Sequence, residues 1–305
     1  MEAQIKPHTE RILKQVIYKY ILDEEQPIAA RSLKICELIG LFVPADFMIP
    51  TIVRHLTDTE SKNVPRFVSS CLTALSAVIT YSGVRFADQF DGLIDKLLTL
   101  ITTSDYLQSE NVEVLDRTLR VTHNIVFAAG KQSCKSRQRV LFKLLLQLGS
   151  TPQLINAKVQ VDQTLELLAK NCDLQDASDL FSCELEGLLL EMKDDFENWN
   201  RNTSERFIFD MLVRRADTAV VDYWDQILEI IAANVDPDTK DYELRLDMLS
   251  LIEHLLLQPN LQSTIAFYTE IIIKLILLPS TEWRAGIPNL SIRKGAVICL
   301  LKLLE

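Results

Sequence analysis

The residues of this sequence with chemistry to offer are four histidines, six cysteines and many carboxylates. Their spacing forms no catalytic pattern. His8, His55, His123 and His254 lie far apart, and no HExxH occurs, the spacing that sets two imidazoles on one helix face around zinc. Cys36, Cys71, Cys134, Cys172, Cys183 and Cys299 never form a CxxC. Most fall among apolar residues at helical spacing, where a thiol is a small hydrophobe kept reduced. No Gly-rich phosphate loop and no GxSxG elbow is present, so neither nucleotide cradling nor a nucleophilic serine is indicated. Acidic pairs are plentiful, but on helices they form solvated faces. The chain is therefore expected not to be an enzyme, and to need no cofactor and no metal.

Binding is the chemistry that remains. Gly130–Arg139 holds Lys131, Lys135, Arg137 and Arg139 with no acid, whereas Glu184–Glu197 holds six acids against Lys193 alone. Each reads either as a docking surface or as an ordinary solvated turn and helix. Asp194, Asp195, Phe196 and Trp199 sit together in DDFENWN. The two rings either plug the core between helices or stand out as an anchor of the kind enriched in interface hot spots. Asn202-Thr203-Ser204 matches a glycosylation sequon, but with Glu205 it reads better as a helix cap.

The elements that would carry these groups are helices. Among 305 residues there are only 8 glycines and 10 prolines, and no stretch alternates apolar and polar residues as a half-buried strand does. Helix pairs are expected at 6–22 and 26–42, 45–57 and 64–81, 86–101 and 110–129, 135–148 and 154–171, 177–193 and 203–215, 220–234 and 239–257, and 262–278 and 289–304. Ser82-Gly83 and Gly130 are read as helix stops. First helices thus start roughly 40 to 50 residues apart, close to the ~40–47 of HEAT and armadillo repeats. One helix pair cannot bury its own apolar face, so successive pairs must stack around a continuous core. Leu72, Leu75 and Ile79, Leu165 and Leu168, and Leu249, Ile252 and Leu256 are placed in that core. The fold class is all-α, an α-solenoid of about seven HEAT-like helix pairs forming one domain over 1–305.

In the last pair, Ile292, Ala296, Cys299, Leu300 and Leu303 share one helical face. Trp283 precedes it in the turn, where a large ring is expected to be buried. Leu300, Leu301, Leu303 and Leu304 cover too much of the helix circumference for all to point inward. The segment is therefore expected to be part of a longer array, or to pair end to end with itself.

Trp283-Arg284-Ala285-Gly286, a short spacer, Ile292-Arg293 and the apolar run Ala296–Leu304 with Cys299-Leu300 resemble the C-terminal half of the HEAT-repeat axonemal dynein assembly factors. The spacer Ile287-Pro288-Asn289-Leu290 departs from that family's pattern. The resemblance implies a cytoplasmic, non-enzymatic factor that preassembles dynein arms, with axonemal dynein chains, chaperones and other assembly factors as partners. The alternatives are another HEAT scaffold, of the nuclear transport receptor or phosphatase-scaffold type, and an enzyme on a helical frame. A net charge of −10 lacks the basic footprint of nucleic-acid binding. The polar opening MEAQIKPHTE is not a signal peptide. Ile271–Leu278, the most apolar run, is too short to span a bilayer. Neither nucleic acid nor membrane is expected as a partner, and the cytoplasm is the expected location.

Overall fold

A computed structural model describes residues 2–58, 64–85, 87–103, 106–107, 110–151, 154 and 157–304. The chain forms two compact units, Met1–Ala177 and Ser178–Glu305. No strand occurs among the described residues.

The first unit holds α1 (2–20), α2 (Gln26–Phe42), α3 (Ala45–Thr57), α4 (Pro65–Arg85), α5 (Ala87–Thr103), α6 (Val112–Ser136), α7 (Gln138–Ser150) and α8 (Lys158–Asn171). The second holds α9 (Ala177–Met192), α10 (Ser204–Arg215), α11 (217–233), α12 (Tyr242–Leu256), α13 (262–281) and α14 (Ile287–Leu304). These are the expected pairs. Helix α2 begins where the acidic turn ends, with Pro27 in its first turn, where the missing N–H costs nothing. Asn111 caps α6 by accepting from Glu113 N at 3.0 Å and Val114 N at 3.3 Å. Gly130 interrupts α6 at φ 68°, ψ −178°, a left-handed φ that glycine adopts without steric cost.

Other boundaries differ from the sequence reading. Helix α4 continues through Ser82-Gly83 to Arg85, because the Ser82 hydroxyl turns inward and donates to Gly40 O at 3.0 Å instead of ending the helix. Residues 131–136 form a further helical stretch after Gly130, so α7 starts at Gln138 rather than Lys135. Asn202 and Glu205 make no capping box. Thr203 stands at the N-cap without a side-chain cap bond, and its hydroxyl accepts from Asn200 N at 3.0 Å. The expected turn residue Asn63 and helix start Phe86 lie outside the described residues, as does part of the loop 102–109.

Second helices stack in sequence: α2 on α4, α4 on α6 and α6 on α8 in the first unit, α10 on α12 and α12 on α14 in the second. The residues assigned to the core are there. Leu72, Leu75, Ile79, Leu165 and Leu168 are fully buried, and Leu249, Ile252 and Leu256 nearly so. Each such side chain contributes about 1.5–3 kcal/mol when removed from water.

The side-chain bonds that tie one layer to the next repeat the period. Cys36 donates to Ala74 O, Asn124 to Ser76 O, Asn171 to Val126 O, Asn234 to Phe196 O and Cys299 to Leu249 O. Bonds of this kind join residues 34 to 50 apart.

The apolar run in α13 belongs to a longer helical stretch than the sequence suggested. Pro259–Thr281, 23 residues containing an 18-residue window of mean hydropathy 1.5, is long and apolar enough to cross a membrane by length and composition. Ile265, Ile272, Ile276 and Leu277 turn inward, and an exposed Lys274–Glu270 ion pair lies on the other side.

Candidate interaction surfaces

The basic stretch is engaged by neighbouring helices. Lys131 and Lys135 both reach Asp173, at 2.6 and 2.5 Å. The two ammonium groups draw the Asp173 carboxyl down to about 2. Arg137 grips Asp95 through Nε at 2.5 Å and Nη2 at 2.9 Å, with Asp91 at 3.7 Å. Arg139 also has partners within the chain. Lys131, Lys135 and Arg137 therefore tie α5, α6 and the end of α8 together, while the two lysine side chains remain exposed. Their acids lie 42 residues away in the sequence for Lys131 and Arg137.

The aromatic turn resolves in favour of the core. Phe196 is 5% exposed and Trp199 2%. Trp199 stacks edge-on against Phe209, centroids 5.7 Å apart. Lys240 donates to Trp199 O at 3.1 Å. Neither ring is available to a partner. Asp194 and Asp195 stay exposed on the outside of the same turn, where Asp195 accepts from Asn198 at 2.9 Å.

Trp283 does the opposite of what its position suggested. It is 79% exposed, because Arg284 takes the inward place. The guanidinium donates to Pro237 O at 2.9 Å and Asp238 at 2.6 Å, and the turn swings out at Gly286, φ 103°. Trp283→Ala is accordingly expected to shift stability by no more than about 0.5 kcal/mol. Thermal melting of the variant checks this, and a large drop would mean the ring is buried after all. Phe267, Ile287 and Leu304 are also more than three-quarters exposed.

Among the described residues no cluster of three or more His, Cys, Asp or Glu is placed to hold a metal. Five cysteines are buried and only Cys183 is exposed. Burial pushes Cys36 and Cys299 up to about 12, so both remain thiols.

Comparison with known proteins bears on what such a frame belongs to. Residues 1–152 match the family model described as "Dynein axonemal assembly factor 5, HEAT-repeat domain". Dynein axonemal assembly factor 5 of Mus musculus is 23% identical over 309 aligned residues, covering all of this chain and 35% of its own length. The Homo sapiens protein is 22% identical, covering 98% of this chain and 34% of its own. The chain thus spans about a third of the length of the assembly factors it matches. A chain from a solved structure of Kap95p with RanGDP aligns at 12% identity and a TM-score of 0.39, covering all of this chain and 42% of that one. The segment that carried the resemblance in the sequence, 278–304, lies outside the family model's match, while the Mus musculus assembly factor aligns over the whole chain.

His55, His123 and His254 share one electrostatic property. Burial holds each imidazole below its ordinary value. His55 accepts or donates at 2.9 Å with the Tyr18 hydroxyl, and His123 does so with Thr164. The unfolded chain takes up these protons near pH 6.5, the folded chain only at lower pH. Stability is then complete above about pH 7 and falls as pH drops below about 6.5. The melting temperature is expected to be lower at pH 5.5 than at pH 7.5. Asp173 and Asp95, held low by their cations, stabilise the fold above about pH 4 and lose that contribution only below it. An unchanged melting temperature between 7.5 and 5.5 would refute this linkage.

Proposed function

We propose that the chain is a non-catalytic HEAT-repeat scaffold for the cytoplasmic preassembly of axonemal dynein arms, working with chaperones and other assembly factors. The observation that carries this reading is the match of residues 1–152 to the HEAT-repeat domain of dynein axonemal assembly factor 5. Alignments with curated relatives of that name over all or nearly all of the chain support it. Stacked helix pairs give such a scaffold its means of action. Each layer adds a pair of solvent-facing helix surfaces without altering the layers beyond its neighbours. An unassembled polypeptide can therefore be held at several points at once, each weak alone and strong together. The partners are polypeptides, neither nucleic acid nor membrane.

Affinity purification of the tagged protein from ciliated and non-ciliated cells tests the reading. Axonemal dynein chains and chaperones are expected in the ciliated sample. Recovery of nuclear transport cargo or phosphatase subunits in place of dynein would refute it.

A further inference from the structure

We infer that the last helix pair of the second unit is a self-association surface, where α13 and α14 pack against the same two helices of a second copy of this chain. Each of these helices covers the preceding layer with one side. Helix α14 turns Ile292, Ala296 and Cys299 inward, and the Cys299 thiol donates to Leu249 O of α12 at 3.7 Å. Helix α13 turns Ile265, Ile272 and Ile276 inward, and its Tyr268 meets Trp224 of α11.

The opposite sides of both helices are apolar too. On α13, Phe267, Ile271 and Leu278 fall at i, i+4 and i+11. On α14, Leu290, Val297 and Leu301 fall at i, i+7 and i+11. Each set shares one helical face, roughly half a turn from the buried set. All six side chains are 41–80% exposed. A helix that is apolar all round is ordinarily buried all round, yet these two are covered on one side only.

Size, charge and geometry select a second copy as the occupant. The two helices carry nine exposed large apolar side chains. At roughly 100 Å² each they offer on the order of 900 Å², above the patch of about 300–600 Å² found on monomers and matching the ~800 Å² that each partner of a standard interface contributes. The most exposed charged side chains from Gln262 to Leu304 are Glu270, Lys274, Glu282 and Lys294, two of each sign. A net charge of −10 keeps copies of a chain apart, but this face is balanced. A helix pair laid on its own copy about a two-fold axis buries the same residues on both sides. It also repeats the helix-on-helix contact by which each layer covers the one before it. The inference goes beyond the scaffold reading and does not depend on it.

Sedimentation velocity of the purified chain, from nanomolar to high micromolar concentration, tests it. The sedimentation coefficient is expected to rise from monomer to dimer and stop there, because a two-fold contact uses up the face. The melting temperature should rise with concentration as well, since association favours the folded state. Phe267→Glu combined with Leu301→Glu puts a carboxylate on each helix of the contact and should weaken association on the order of a hundredfold or more. Both positions face solvent in the single chain, so this variant should melt like the dilute parent. Leu301→Gln alone should weaken association about tenfold, and serves if the double variant fails to fold. A parent that stays monomeric at every concentration would overturn the inference and leave the face to a different polypeptide. Growth beyond the dimer, or a dimer that persists in both variants, would overturn it as well, because the contact would then lie elsewhere. None of these results bears on which proteins are recovered from ciliated cells, so the proposed function stands or falls separately.

Discussion

Trp224→Ala is expected to cost about 3–5 kcal/mol in the second unit. Trp224 opens the α-helical part of α11, is 1% exposed, and tilts against Tyr268 of α13 with ring centroids 6.3 Å apart. It is therefore the ring that fills the space between two successive first helices. Its indole N–H is buried without a hydrogen-bond partner, so the ring is held by shape alone. Removing it leaves a cavity whose walls are other helices with little freedom to collapse. Trp224→Phe should recover most of the loss, since the unpaired N–H goes with the indole. Denaturant unfolding of the three proteins measures this. An alanine variant within 1 kcal/mol of the parent would show that α11 and α13 do not depend on the ring.

Gly40→Leu is expected to destabilise the first unit by about 1–3 kcal/mol or more. A Cβ built at Gly40 meets Val78 Cα at 3.1 Å and Val78 O at 3.3 Å. The obstacle is backbone, which cannot rotate aside as a side-chain tip can. Glycine thus lets α2 and α4 approach closely, and the Ser82–Gly40 bond closes the same contact. Gly40→Ala is the informative control. It gains about 0.8–1 kcal/mol of helix propensity against a displacement of a few tenths of an ångström, so it should lie near neutral. If leucine is tolerated as well as alanine, the close approach is not limiting.

The helices were legible in the sequence because their signals are local. The acidic turn followed by Pro27 marks the start of α2, and Gly130 marks the break in α6 because a left-handed residue favours glycine. What was not legible lies in turns and in partners one layer away. A turn has no period, so nothing in the order of residues assigns Trp199 inward and Trp283 outward. In the structure the choice is made by Lys240, which caps the turn at Trp199, and by Arg284, which occupies the inward place beside Trp283. The cations at 131–137 looked unopposed for the same reason, since their carboxylates are supplied by other helices. Arg117 looked like one more charge on a helix face. Only the structure reveals that its Nε is buried without a hydrogen-bond partner among the described residues.

The short reach of the bonds between layers bears on how the chain comes into being. Because they join residues 34 to 50 apart, each layer has all its partners as soon as the next helix pair has left the ribosome. Nothing made early must wait for a distant strand to be translated, the delay that slows folds rich in non-local contacts. Folding can follow synthesis from the N-terminus, with only the newest apolar face uncovered at any moment. A protein of this size is thereby spared a long interval as a sticky nascent chain.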